Sequence, residues 1–150
     1  MTIIPVELGD RRYEVVVGSG VRRELARIIN ERAPRALRCA IVTTPQIRRQ
    51  PWFDFVSGID DVVIEIADGE EAKTPASYIN LVNELSRAQL SRHDVVVGIG
   101  GGATTDVVGF AAATYLRGVS LINVATTVAG QVDAAIGGKT GVNLERSEEH

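Results

Sequence analysis

The sequence predicts an α/β fold: a mainly parallel sheet with helices on both faces, entered through an N-terminal β-hairpin. Three observations predict it. Short apolar runs alternate along the chain with segments of helical spacing. The runs at 37–44, 61–67, 94–100 and 120–127 are too apolar for strands with one face in water, so they read as strands covered on both sides. The opening differs: TIIPVEL and YEVVVGSG are two strands of alternating character joined by the polar turn GDRR.

The elements follow in order. A helix is expected at about 20–32, with Val21, Leu25, Ile28 and Ile29 on one face and arginines on the other. LRCAIVTT (37–44) is a buried strand that Pro45 ends; Cys39 within it reads as core packing. PQIRRQPWFDFVSG is irregular or weakly helical, interrupted by Pro51. After the strand DVVIEIA (61–67), the loop DGEEAKTP leads into a helix near 75–90, where Tyr78, Leu81, Val82 and Leu85 fall at helical spacing. DVVVGIG (94–100) carries four β-branched residues and ends in glycine. An almost entirely apolar helix at 104–116 and the strand SLINVATT (120–127) come next. VAGQVDAAIGGKTGVN then puts Asp133 on a helix and Lys139 in a second glycine loop. The polar ending LERSEEH closes no element, so the chain is expected to be a piece of something longer.

Composition bounds the function. With 150 residues the chain makes one domain with a real core. A formal net charge of -3 argues against nucleic acid as a partner. No apolar run approaches the roughly 18 residues that span a bilayer. The N-terminus lacks the pattern of a secretory signal. One cysteine allows no internal disulfide, and the cytoplasm is the expected compartment.

Charge thins sharply past residue 100. Residues 101–143 hold four charged side chains, Asp106, Arg117, Asp133 and Lys139, against 27 in residues 1–100. Buried charge is costly, so each of the four needs a partner or a ligand. At the head of this stretch, Gly98-Ile99-Gly100-Gly101-Gly102-Ala103 matches G-x-G-x-x-G/A between a strand and a helix. Such a turn either makes a tight strand-to-helix corner or lets a phosphate approach helix N-terminal N–H groups. The glycines are also expected to supply positive φ there. No Asp or Glu occurs between 107 and 132 to hold a ribose, so the ordinary dinucleotide arrangement fails its second check. Asp106 is expected in the first helical turn, where it complements the helix dipole or faces a ligand. Arg117, at the helix end, is either a solvated arginine or a ligand for an anion. GGKT is not a P-loop, because Asp133 stands where the first glycine would be. Lys139 fits a phosphate or carboxylate ligand, or an ion pair to Asp133.

GGGATTDVVGFAAATYLRGV, then TT, then QVDAAIGGKTGVN resembles the 3-dehydroquinate synthase family of the shikimate pathway, and the likeness extends from about residue 3 to residue 143. The resemblance implies a Rossmann-like, NAD-binding α/β domain over 1–143, with 144–150 as a non-matching polar tail. It also implies a C-terminal helical domain, absent here, whose glutamate and two histidines bind Zn2+ or Co2+. The implied reaction converts 3-deoxy-D-arabino-heptulosonate 7-phosphate to 3-dehydroquinate and phosphate, with NAD+ regenerated in each turnover. Gly100, Gly101, Gly102 and Ala103 then lie under the NAD pyrophosphate. Asp106, Thr126 and Thr127 contact the cofactor, and Glu70 and Lys73 lie near its adenosine half. Thr44 and Gln46 replace the family's usual Asp/Asn-containing loop. Asp133 and Lys139 bind substrate, and Arg117 reaches the substrate phosphate of a neighbouring subunit, which implies a homodimer. His93 and His150 are the chain's two histidines, so no metal site is expected in it. Another sugar-phosphate cyclase, of the valiolone or inosose type, a polyol dehydrogenase and a non-catalytic nucleotide-binding domain stay open as readings.

Overall fold

A computed structural model describes residues 1–136 and 140–144. Strands β1 (Thr2–Val6) and β2 (Tyr13–Val17) form an antiparallel hairpin with Thr2 opposite Val17 and Val6 opposite Tyr13. The other four strands, β3 (Arg38–Thr43), β4 (Asp60–Glu65), β5 (Val95–Gly100) and β6 (Ser120–Ala125), make a parallel sheet in the order β4-β3-β5-β6. The fold is the α/β arrangement that the alternation of elements predicts.

The two faces of the sheet carry separate cores, divided by the period-2 alternation of the strands. Ala40, Val42 and Val96 pack with Leu81, Leu85, Val107, Val108 and Ala111 from helices α3 (Pro75–Arg87) and α4 (Gly102–Thr114). Cys39, Ile41, Val95, Val97 and Ile99 point the other way, onto Leu25 and Ile29 of helix α1 (Leu25–Arg32). Every residue of β5 is buried, as its unbroken apolar run requires. Each fully buried aliphatic side chain contributes about 1.5–3 kcal/mol, so this central strand holds the layers together.

Several local expectations are corrected. The segment at 20–32 opens as a 3-10 turn (Val21–Glu24) and becomes α-helical only from Leu25, with Ile28 half-buried. Pro45–Arg48 form a short helix, α2, in keeping with the weakly helical reading of that segment, because Thr44 Oγ1 accepts the Ile47 N–H and Pro45 needs no donor at the first position. DGEEAK is not a plain loop: Gly69–Lys73 make a 3-10 turn that Asp68 caps through the Gly69 N–H. Helix α4 starts at Gly102, earlier than expected, which moves Asp106 out of the first turn. It is not buried all round either, since Ala113 and Thr114 face solvent. Beyond it, Leu116 and Arg117 adopt left-handed φ values of 48° and 67°, and Leu116 is left 51% exposed. Asp133 lies in a π-helical turn, Gly130–Ala134.

The sequence reading passed over Asp94, which ties the amino end of the sheet. Although it is only 4% exposed, its carboxylate accepts the N–H groups of Leu37 (2.9 Å), Arg38 (3.0 Å) and Ser91 (2.7 Å). Burial acts to raise its pKa, but the three backbone donors and the Ser91 side chain outweigh that and hold it below the usual carboxylate range.

Candidate functional site

The strand order fixes where a ligand can enter. From β3 the chain steps outward to β4, then returns past β3 to β5 and continues to β6. The crossovers therefore diverge between β3 and β5, and a crevice opens at their carboxyl ends. Two helices start there: α2, after Thr44, and α4, after Gly101. Thr43 Oγ1 donates to the Ile99 carbonyl at 2.9 Å and closes the sheet beneath the crevice.

The two helix starts differ in one respect that matters. Thr44 is 1% exposed and its hydroxyl caps α2, so that side chain is already committed; Gln46 is exposed on the same turn. The N-cap of helix α4 is Gly101, which has no side chain to cap it, and no side-chain cap is present among the described residues. Its first backbone bond runs from the Thr105 N–H to the Gly101 carbonyl. The N–H groups of Gly102, Ala103 and Thr104 precede that bond, lack intrahelical acceptors and carry the positive end of the helix dipole. This chemistry fits an anionic group, and the pyrophosphate of NAD is one.

The glycines contribute by close approach, not by backbone conformation. None of Gly98, Gly100, Gly101 and Gly102 has positive φ, contrary to expectation. A Cβ at Gly100 would stand 2.6 Å from Thr104 Cβ and Oγ1. One at Gly101 would stand 3.1 Å from Thr127 Cγ2, and one at Gly102 3.3 Å from Ala134 Cβ. The turn is thus cradled by α4 below it and by residues 127–134 beside it. Thr126 and Thr127 are part of this cradle. The Thr126 N–H donates to the Gly100 carbonyl at 3.0 Å, and Thr127 Oγ1 accepts the Gly130 N–H at 3.0 Å. Asp133 is exposed in the helical turn that supplies Ala134.

Asp106 has its partner outside the charge-poor stretch: Lys73 Nζ lies 3.0 Å from Asp106 Oδ2, with both side chains about four-fifths buried. Around this pair the segment after the second glycine loop is fastened down. The Gly141 N–H donates to the Asp106 carbonyl at 3.2 Å, and the Asn143 N–H donates to the Lys73 carbonyl at 2.7 Å. Asn143 Nδ2 donates to Glu70 Oε2 at 2.9 Å. The structure therefore joins Glu70, Lys73 and Asp106 into one group through Asn143, a residue that the sequence reading did not single out. Its signal was its place, an amide at the end of GKTGVN in a stretch with few polar side chains.

Arg117 is not brought to this group. It is exposed beyond the far end of α4, a helix of 13 residues, which puts it roughly 20 Å from the glycine turn. Lys139 lies outside the described residues. Among those residues, no three His, Cys, Asp or Glu side chains come together as a metal site, and no helix is long and apolar enough to cross a membrane. Cys39 is fully buried, and burial, with Asp61 and Asp94 adding to it, pushes its thiol up to about 12.

Comparison with known proteins meets this geometry from a separate direction. The family described as 3-dehydroquinate synthase N-terminal matches residues 63–149. A 3-dehydroquinate synthase of Cutibacterium acnes is 50% identical over 135 residues, covering 88% of this chain and 35% of the relative. A solved structure of 2-epi-5-epi-valiolone synthase from Streptomyces hygroscopicus with NAD+ and Zn2+ bound is similar at 28% identity and a TM-score of 0.71, over 93% of this chain and 39% of that one. A 2-deoxy-scyllo-inosose synthase structure with carbaglucose-6-phosphate, NAD+ and Co2+ shares the fold at a TM-score of 0.79 and 23% identity, over 96% of this chain and 41% of that one. The chain thus spans about two-fifths or less of the length of these relatives. A glycine turn opening an uncapped helix at the sheet's crevice and these similarities lead to one conclusion: the chain belongs to the 3-dehydroquinate synthase family.

Proposed function

We propose that this chain is the NAD-binding part of a 3-dehydroquinate synthase, acting on 3-deoxy-D-arabino-heptulosonate 7-phosphate to give 3-dehydroquinate and phosphate in the cytoplasm. The observation that carries the reading is the uncapped start of α4 behind three consecutive glycines at the carboxyl end of β5. The N–H groups of Gly102, Ala103 and Thr104 hold the pyrophosphate there. NAD, when bound, supplies transient oxidation of a substrate alcohol, which acidifies the neighbouring C–H so that phosphate can leave.

The chain's own residues orient both ligands. Thr126 and Thr127 wall the turn on one side. Lys73 holds the Asp106 carboxylate in a fixed position beside it, and Glu70 with Asn143 fastens the segment that follows Lys139. Asp133 accepts from substrate hydroxyls, and Lys139 pairs with a substrate anion. Arg117, on the far end of α4, serves a neighbouring subunit's substrate phosphate in a homodimer. The Zn2+ or Co2+ ligands belong to the part of the family's polypeptide that this chain does not span. By itself the 150-residue chain does not complete the reaction.

The test uses the full-length Cutibacterium acnes relative with the equivalent residues changed. Lys139→Ala abolishes turnover and spares NAD+ binding. Gly102→Val, whose side chain meets Ala134 as well as the cofactor space, blocks NAD+ binding. NAD+ bound as tightly by the valine variant as by the wild type would remove the glycine turn from the site.

A further inference from the structure

We propose, on the reading that NAD+ binds at the start of α4, that Asn143 is a positioning residue for the cofactor: it fixes the turn Gly69–Lys73, which delivers the Lys73 ammonium to Asp106. Asp106 lies four residues beyond Gly102, so the two share one face of α4, about 6 Å apart along its axis. Where Lys73 holds the Asp106 carboxylate therefore decides what a nucleotide meets beside the uncapped N–H groups. Lys73 is the last residue of the 3-10 turn, and Asn143 grips that turn at both ends. Its N–H donates to the Lys73 carbonyl at 2.7 Å, and its Nδ2 donates to Glu70 Oε2 at 2.9 Å.

The fold does not depend on the side-chain arm of this grip. Glu70 is exposed, and a hydrogen bond to a carboxylate in water is weak because water competes for it. Apolar packing already anchors both segments. Ala72 of the turn is fully buried in the core that Val107 and Val108 of α4 share, and Val142 packs on the same core. The Gly141 N–H adds its bond to the Asp106 carbonyl. What these contacts leave free is the head of the turn, where Gly69 has a left-handed φ of 64° and Glu70 follows it. The Asn143 amide holds that head from 73 residues away, so its effect is on orientation.

The chemistry of the contact specifies its variants. Asn143→Ala keeps the backbone bond to Lys73 and removes only the amide. Asn143→Asp keeps the shape but sets a second carboxylate against Glu70, and like charges repel. Adding Glu70→Gln to Asn143→Asp reverses donor and acceptor: the new glutamine amide donates to the new aspartate, and its carbonyl oxygen keeps an acceptor on the outer side.

Isothermal titration of the 150-residue chain with NAD+, with melting temperatures alongside, tests this. Asn143→Ala raises the Kd for NAD+ about tenfold, the loss of one bond to a charged group. Its melting temperature stays within about 2 °C of the wild type. Asn143→Asp raises the Kd further. Asn143→Asp with Glu70→Gln returns it to within about threefold of the wild type, a rescue that a change in folding alone does not produce. Glu71→Gln, the same change of charge on the neighbouring exposed glutamate, leaves the Kd within about twofold. Wild-type affinity in Asn143→Ala overturns the proposal and leaves the cofactor reading standing, as does a double variant no better than Asn143→Asp. A melting temperature about 10 °C lower in Asn143→Ala assigns the residue to the fold and overturns it too. A folded wild-type chain that does not bind NAD+ overturns the proposal and the cofactor reading together.

Discussion

Replacing Gly100 with alanine isolates what the glycine turn does, because φ there is not positive and the backbone itself tolerates a side chain. The added Cβ would stand 2.6 Å from Thr104 Cβ and Oγ1 and 2.8 Å from Thr104 Cγ2. Carbon atoms at rest sit about 3.5–4.0 Å apart, so roughly 1 Å of movement is required. Thr104 is 3% exposed and lies in the first turn of a helix whose next residues are packed against the sheet. It has no room to swing aside, and the start of α4 must shift. Overpacking of this kind costs about 1–3 kcal/mol, or roughly 2–10 °C in Tm for a chain of this size. Gly141→Ala is the control, since nothing lies within 4 Å of its added Cβ, and its stability stays within about 0.5 kcal/mol of the wild type. Urea unfolding of both variants reads the difference as a change in midpoint at constant slope. Equal midpoints for Gly100→Ala and Gly141→Ala would refute the claim that α4 presses on the turn.

Three further outcomes follow from the same geometry. Asp94→Ala leaves three N–H donors without their acceptor and costs about 3 kcal/mol in chemical denaturation at neutral pH. Because the folded pKa of Asp94 lies below its ordinary value of 3.8, its stabilisation is full above that value and fades as the pH falls toward the folded one; the gap between wild type and Asp94→Asn therefore narrows under acid. Cys39, with its thiol near 12 and no exposure, stays unmodified by iodoacetamide at pH 8 in the folded chain and reacts once urea unfolds it, as mass spectrometry would record.

What could be read from the sequence was what depends on residue type and period. The four parallel strands were legible because both their faces are apolar, and the hairpin was legible because its strands alternate. The glycine turn was legible as a site because three adjacent glycines weaken a fold without compensation. Its mechanism was not, since close approach depends on where Thr104, Thr127 and Ala134 arrive in space. Asp94 escaped notice because its three donors come from residues 37, 38 and 91. The Lys73–Asp106 pair and its link to Glu70 through Asn143 escaped for the same reason: they join segments about 30 to 70 residues apart, and no local pattern encodes them. The early start of α4 was missed because glycine is a poor helix former; tertiary packing against β5 and β6 overrides that propensity.

The most direct measurement is the melting temperature of this 150-residue chain with and without NAD+. If the turn, the uncapped helix and the Lys73–Asp106 group already form the cofactor's half of the site, NAD+ at about a hundred times its Kd adds about 2.7 kcal/mol, a rise of roughly 5–10 °C. Gly102→Val removes that rise. A folded chain whose melting temperature ignores millimolar NAD+ would contradict the assignment of the nucleotide to the start of α4.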